Sequence, residues 1–211
     1  MARRPKHDPK ESEREILSAA DDLLREQPFR ELTVDAVMTR TGLKRPAFYV
    51  HFRDRHDLML RIFERIADEV SAMMDRWLQG DDFERDGRAS ILGMAEVYAR
   101  HGHVLRALGD AAAGDKAVEA AYNKVVEQFI DATRKRILAE QASGLVRADL
   151  DAEETARALV SLDERYLLRS IVAQPSTDPQ RVADVLVNIW SSTLYGRPVA
   201  GRHAPSQSDT R

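Results

Sequence analysis

The sequence predicts an all-α protein of about nine helices, divided into a small N-terminal domain and a larger C-terminal domain. Apolar residues recur at helical spacing through most of the chain, and no segment alternates between apolar and polar residues as a half-buried strand does. Glycine and proline separate the periodic segments. A hydrophobic fraction of 43% and a charged fraction of 32% are typical of amphipathic helices with one buried face.

Residues 33–52 predict two short helices joined by a tight turn. Three apolar residues after Thr33 have helical spacing, and the Thr33 hydroxyl can cap the free amides of the first turn. Gly42 can adopt the left-handed backbone that ends a helix, and Pro46 fits the first turn of a second helix over 45–52. Two such helices form a helix-turn-helix, whose second helix enters the major groove of DNA.

A first helix from Ser12 to Glu26 would complete this N-terminal domain. Ser12 is its expected N-cap, with Glu15 completing a capping box, and Pro28 stops it. A long helix follows from Asp54, its expected N-cap, to about Gln79.

The rest of the chain predicts further helices bounded by glycine, aspartate or proline. Residues 83–108 predict two helices with a break near His101 and Gly102, and a long helix follows over 114–142. Asp151 is expected to cap a helix that ends near residue 172. The last helix starts near Pro179 and ends near residue 196.

The segment TVDAVMTRTGLKRPAFYVHFRDRHDLM, preceded by REILSAADDLL, resembles the DNA-binding part of TetR-type transcriptional repressors. The shared pattern is T-V-x-x-V, then T-G-L, then a short helix that ends in F-Y-x-H-F, and it covers roughly the first 65 residues. Arg55 stands where the family usually has lysine and keeps its charge, so a phosphate contact is expected to survive. The resemblance implies a homodimer that binds a double-stranded DNA operator, and two-fold symmetry suits a palindromic one.

The resemblance and the chemistry of DNA together select candidate DNA-binding residues. Lys44 and Arg45 suit contacts to guanine edges or phosphates, whereas Tyr49 and His51 suit the DNA backbone. Residues 33–55 carry five basic side chains against two acidic ones. The full set is Thr33, Thr41, Lys44, Arg45, Pro46, Ala47, Tyr49, His51 and Arg55.

The stretch ALVSLDERYLLRSIVAQPSTDPQRVADVLVNIWSSTLYG resembles the end of EthR-type C-terminal domains. The shared features are an acidic or amide residue followed by E-R at 163–165, a Q-P-S turn at 174–176 and an I-W ending that reaches Y-G at 195–196. This resemblance implies a tunnel that binds a small, elongated hydrophobic effector. The lining residues that it implies are Met94, Tyr98, Phe129, Thr133, Leu162, Asp163 and Trp190.

Asp163 departs from the pattern because these relatives carry an amide at the ligand, which both accepts and donates hydrogen bonds. A carboxylate donates only when protonated, and its burial is costly unless it is paired. We therefore expect either a nearby arginine that neutralises Asp163 or a ligand with a hydrogen-bond donor or a cation. Any one of the lining positions could instead be plain core, because aromatic residues at helical spacing usually pack in a protein interior.

The last two helices could also face a second copy of the chain, since in TetR-type proteins this pair forms a four-helix bundle across a two-fold axis. The sequence thus predicts a flexible basic arm (1–11), in which Arg3, Arg4 and Lys6 either contact DNA or are simply solvated. A helix-turn-helix domain (12–56), a ligand-binding and dimerisation domain (57–197) and a disordered tail (198–211) follow. The apolar face expected at the dimer comprises Val182, Val185, Leu186, Ile189, Thr193 and Leu194.

Composition and motifs exclude several other classes of protein. The chain has no cysteine, and no apolar run approaches the ~20 residues of a membrane span, so we expect a cytoplasmic protein without membrane contact. His101 and His103 diverge on a helix, and neither a Glu-x-x-His pattern nor a phosphate-binding loop is present. We expect no cofactor, no metal and no enzymatic activity.

These observations favour a homodimeric repressor that a small hydrophobic ligand releases from its operator. One alternative is a helical small-molecule-binding or scaffold protein without an operator, against which the basic residues Lys44, Arg45 and Arg55 argue. The other is a transcriptional activator with the same fold, which the sequence does not distinguish from a repressor.

Overall fold

The computed structural model describes residues 8–80 and 83–196, which form eight α-helices and no β-strand. The predicted all-α fold is therefore confirmed. Arg3, Arg4, Lys6 and the predicted tail lie outside the described residues. The helices are α1 (Pro9–Glu26), α2 (Val34–Thr41), α3 (Arg45–His51), α4 (Arg55–Gln79), α5 (Arg88–Ala112), α6 (Lys116–Ala142), α7 (Ala152–Leu167) and α8 (Pro179–Tyr195).

Most helix ends follow the capping signals in the sequence. The Thr33 hydroxyl accepts a hydrogen bond from the Ala36 amide at 3.1 Å. The Asp54 carboxylate accepts from two amides at the start of α4, and Asp151 caps α7 in the same way. Gly42 has φ of 68°, so the left-handed end of α2 is confirmed.

The start of α1 corrects the sequence prediction. Asp8, not Ser12, is the N-cap, because its carboxylate accepts from the Lys10 amide at 3.1 Å and Pro9 has no amide to satisfy. Ser12 lies buried inside the helix and donates to the Asp8 carbonyl at 3.3 Å. Residues 9–11 therefore belong to α1 rather than to a flexible arm.

Residues 88–112 form one kinked helix instead of the two helices predicted over 83–108. The kink lies at the predicted place, where His101 has φ of −110° and ψ of 15°. Gly102 lets α5 pass close to a π-helical turn at Leu168–Val172, since a Cβ there would lie 3.3 Å from Val172 Cγ2. That turn also ends α7 at Leu167, a few residues before the predicted end.

Two hydrophobic clusters hold the helices together. The first joins α1, α2 and α3 to the N-terminal part of α4 and extends to Val104 and Leu108 of α5 and Val118 of α6. The second joins the C-terminal helices to Trp77 near the end of α4. The first cluster therefore crosses the boundary expected at residues 56 and 57, and α4 belongs to both clusters. No helix among the described residues has the length and apolar character needed to cross a bilayer.

Candidate DNA-binding surface and ligand cavity

Helix α3 has one buried face and one exposed face. Phe48 and the following Phe52 are fully buried against the other helices of the head, as we call the N-terminal domain formed by α1, α2 and α3. On the opposite side Lys44, Arg45 and Pro46 are exposed, and Tyr49 is 51% exposed. The aromatic residues thus fix the helix in the core while its basic start and Tyr49 are free to contact a groove of DNA.

The guanidinium of Arg45 is held in place by two neighbours on the surface. It donates to Asp35 at 2.5 Å and to the Tyr49 hydroxyl at 3.1 Å. These hydrogen bonds hold the pKa of Arg45 above its ordinary value. An ion pair this exposed contributes little to stability, so Arg45 is oriented yet available to another partner.

Three predicted DNA-binding residues have structural partners at helix ends. Thr33 caps α2, and the Thr41 hydroxyl donates to the Met38 carbonyl and accepts from the Leu43 amide. Arg55 donates to the carbonyls of residues 29, 30 and 32 at 3.2–3.4 Å. Arg55 thereby holds the turn between α1 and α2, and its phosphate contact stays a prediction. Ala47 and His51 are half-buried.

Arg53 is a basic side chain that the candidate set omitted. It is 79% exposed beside the end of α3 and makes only a 3.4 Å ion pair with Asp57 among the described residues. Its position directly after the F-Y-x-H-F pattern is the signal that could have selected it.

A cavity of about 110 Å³ lies between α4, α5, α6, α7 and α8. Six of the seven predicted lining residues stand in its wall. Leu162 does not: it is 38% exposed, because it lies about 100° around α7 from Asp163 and faces outward. The six are Met94, Tyr98, Phe129, Thr133, Asp163 and Trp190.

Asp163 has a different partner from the expected arginine. One carboxylate oxygen accepts from the indole N–H of Trp190 at 3.0 Å, and no arginine among the described residues forms an ion pair with it. Burial raises the pKa of Asp163 to about 7, although the Trp190 hydrogen bond acts in the opposite direction. The carboxyl group is therefore poised between its two protonation states near neutral pH.

A second carboxylate, Glu164, also lines the cavity and was not predicted. The Tyr122 hydroxyl donates to its Oε1. Burial, together with the charges of Glu164 and Asp163, raises the pKa of the nearby Tyr98. Tyr98, Tyr122 and Glu164 also line an adjoining cavity of about 190 Å³. The position of Glu164 next to Asp163 in the D-E-R element is the sequence feature that could have indicated it.

Trp77 is a further cavity residue that the sequence prediction missed. Its ring meets that of Trp190 edge to face, with centroids 5.4 Å apart. The Trp77 side chain is buried, and its indole N–H has no hydrogen-bond partner among the described residues. The chain has two tryptophans, so both of them stand at this cavity. Helical spacing from Phe63 along α4 could have indicated Trp77.

The two histidines at the kink of α5 contact different helices. His101 lies 3.4 Å from Glu69 of α4, whereas His103 contacts Asp21 of α1 at 2.9 Å. Hydrogen bonding to His103 lowers the pKa of Asp21. The imidazoles therefore do not share a ligand set, and the His103 contact connects the cavity helix α5 to the head.

Only part of the apolar face expected at a dimer is exposed in this chain. Val182, Leu186 and Leu194 are buried within the chain, because they pack in the second cluster. Val185 is 39% exposed, and Ile189 one turn later is half-buried. Leu162 of α7 is 38% exposed, and Leu162, Val185 and Ile189 are together called the outer strip.

An exposed basic helix in a helix-turn-helix, joined to a helical domain with an internal cavity, defines a DNA-binding transcriptional regulator. Residues 16–62 match the family of bacterial regulatory proteins of the tetR type, and residues 87–196 match the C-terminal domain of the transcriptional regulator EthR. The chain belongs to the TetR family of transcriptional regulators and has a C-terminal domain of the EthR type.

Individual relatives agree with this assignment. The chain is 30% identical to the HTH-type transcriptional regulator EthR of Mycobacterium tuberculosis over 185 residues, and this alignment covers 86% of each chain. It is 26% identical over 196 residues to EthR of Mycolicibacterium smegmatis, covering 92% of this chain and 89% of that protein. Its fold matches that of NalD, the secondary repressor of the MexAB-OprM multidrug efflux pump in Pseudomonas aeruginosa. The superposition on NalD has a TM-score of 0.72 at 18% sequence identity and covers 90% of this chain and 98% of NalD.

Proposed function

We propose that this regulator is a homodimeric repressor that leaves its operator when a small hydrophobic effector binds in the cavity. The observation that carries the proposal is the double role of α4. Leu58 and Met59 of α4 are buried in the cluster that contains the head helices. Farther along the same helix, Ile66, Val70 and Trp77 line the cavity. A ligand that displaces the cavity wall therefore acts on the helix that supports the head.

Binding to DNA would use the exposed side of α3. Lys44 and Arg45 would contact base edges or phosphates, with Tyr49 and His51 along the backbone. Pro46 and Ala47 would set how closely the helix approaches the groove. Thr33, Thr41 and Arg55 would shape the helix ends that face phosphates.

Release would follow from a shift between two arrangements of the same dimer. In one, the two α3 helices lie about 34 Å apart and fit successive major grooves. The effector would bind better to a second arrangement in which α4 has moved. Its differential affinity for the two states sets how far the DNA affinity falls. The contact between His103 and Asp21 gives α5 a second path to the head.

Dimerisation would use the outer strip of Leu162, Val185 and Ile189 on α7 and α8. Val185→Glu would place a charge in that interface and shift the protein to monomers in sedimentation experiments. Leu145→Glu is the matched control, because Leu145 is also apolar and exposed, at 63%, but lies in the turn between α6 and α7. Equal sedimentation of both variants and the parent chain would contradict this interface.

The first test of the whole proposal is binding of the purified protein to the intergenic DNA upstream of its own gene. Scrambled DNA of the same length is the control, and two salt concentrations separate electrostatic from sequence-specific binding. Saturable, selective binding that weakens with salt supports operator function. If the protein binds both DNAs equally weakly, the next experiment selects the fragments of the whole genome that it binds. Recovery of no specific fragment would refute operator function.

A further inference from the structure

We propose that the effector is a hydrophobic amine whose protonated nitrogen pairs with Asp163 inside the cavity. This inference rests on the proposed function and specifies the chemical class of ligand that the same cavity would take. It also decides between the alternatives that the sequence left open for Asp163, in favour of the ligand.

The first argument is the charge of the cavity wall. Asp163 and Glu164 both line it, and the described lining residues include no lysine, arginine or histidine. Glu164 already accepts from the Tyr122 hydroxyl. Asp163 accepts one hydrogen bond, from Trp190 to Oδ1, and its Oδ2 accepts none from the described residues. A buried carboxylate with one free oxygen is stabilised most by a cation that also donates a hydrogen bond.

The second argument is the apolar and aromatic surroundings of this carboxylate. Trp77, Tyr98, Tyr122 and Phe129 join Trp190 in the wall, with aliphatic side chains between them. Aromatic faces attract an ammonium group, and the low polarity of the wall strengthens its attraction to a carboxylate. A carboxylate ligand would instead meet two like charges. The wall therefore combines an apolar body with an anionic end formed by Asp163 and Glu164, which matches an alkyl or arylalkyl amine.

The protonation behaviour of Asp163 agrees with this arrangement. Burial raises the pKa of its carboxyl group to about 7, so the neutral and the charged form have similar free energies near neutral pH. A cationic ligand would select the charged form at little cost.

The experiment uses the full chain and three probes of equal length: phenylbutylamine, phenylbutanol and phenylbutyrate. Binding is followed by intrinsic tryptophan fluorescence, because both tryptophans of the chain stand at the cavity. At neutral pH the amine should bind about ten-fold or more tightly than the alcohol, and the carboxylate least. Equal affinity for amine and alcohol, or no saturable response to the amine, would overturn the proposal.

Asp163→Asn keeps the acceptor for Trp190 and removes the charge. It should weaken amine binding about ten-fold while changing alcohol binding less than about three-fold. Glu154→Gln is the matched control, because Glu154 is an exposed carboxylate on the same helix outside the cavity. A preference for the amine that survives in Asp163→Asn would refute the role of Asp163. Thermal unfolding of each variant shows that it is folded.

Operator release is measured separately, by adding the amine to the complex of protein and DNA. An amine that binds with the expected preference but leaves the DNA complex intact supports the ligand class and contradicts the proposed release. An operator complex that phenylbutanol dissociates as readily as the amine does would support release and overturn the ligand class.

Discussion

The DNA-reading head and the cavity satisfy their polar groups in different ways. In the head, Thr33 bonds to Ala36 and Thr41 to Leu43, so the partners lie two or three residues apart. In the cavity, Trp190 and Asp163 are 27 residues apart. Tyr122 and Glu164 are 42 apart. The caps at the helix ends of the head are local hydrogen bonds, and Arg55 adds bonds to carbonyls 23–26 residues away. The polar pairs of the cavity form only when the helices pack together.

This difference bears on function. Local capping gives the head a fixed geometry, as reading successive grooves of DNA requires. Among the residues that the structure describes, two polar groups of the cavity lack a hydrogen-bond partner, the Trp77 N–H and one oxygen of Asp163. Such groups lower stability, and a ligand that satisfies them is favoured. The four predictions below test this contrast, from the largest expected effect to the smallest.

The double change Lys44→Ala and Arg45→Ala should have the largest effect, and only on the head. Loss of two contacts to DNA at about 1–3 kcal/mol each would weaken operator binding by roughly 100-fold or more. The melting temperature should hardly change, because both side chains are exposed. Electrophoretic mobility shift and thermal unfolding measure the two effects. Arg14→Ala, at an exposed site on α1, is the control and should bind DNA as the parent chain does.

The two cavity tryptophans should differ in what their indole N–H contributes. Trp190→Phe removes the donor to Asp163, and we expect it to lower the free energy of unfolding by about 1–3 kcal/mol more than Trp77→Phe does. Trp77→Phe removes an N–H that has no partner among the described residues and otherwise changes the same volume. Denaturant unfolding of both variants measures the difference. Equal losses would mean that the Trp190 hydrogen bond adds nothing to stability.

Asp163→Asn should become more stabilising as pH rises. The pKa of Asp163 is raised from 3.8 to about 7 in the folded chain, so the folded state binds the proton more tightly than the unfolded state. The stability contribution of Asp163 therefore falls between about pH 4 and 7 and is lowest above that range. The variant should gain about 1–2 kcal/mol over the parent near pH 8 and much less near pH 5, because the buried carboxyl group of the parent is charged only at the higher pH. Thermal unfolding at several pH values tests this slope.

Two glycine substitutions should give small effects of opposite sign. Gly42→Ala forces a side chain into a left-handed backbone and should cost about 1 kcal/mol. Gly109→Ala lies in α5, where a Cβ meets no atom within 4 Å, and should gain about 0.5–1 kcal/mol. Denaturant midpoints measure both. A stabilising Gly42→Ala would show that the turn of the head can relax.

Much of the head could be predicted because its signals are local. Thr33, Gly42, Pro46 and Asp54 each set a helix end within a few residues, and the structure has all four where the sequence predicts them. The predicted start of α1 was wrong because two residues can cap the helix there. Asp8, followed by proline, is the stronger N-cap of the two, and Ser12 is the weaker.

The cavity could be predicted in part. Resemblance and helical spacing selected six residues that line it, since spacing along one helix decides which side chains share a face. Resemblance and spacing could not select Trp77 or Glu164, and they could not exclude Leu162. Whether these side chains face the cavity depends on how α4 and α7 are rotated against their neighbours.

By itself, then, the sequence determined the helical class, the helix-turn-helix and most helix boundaries, because hydrogen bonds within a few residues fix them. Tertiary structure alone decided that Asp163 bonds to Trp190 and not to an arginine. It likewise decided that Arg55 donates to the carbonyls of the turn before α2. These partners are distant in sequence and meet only after the apolar faces have packed, so the contacts follow from packing and not from local pattern.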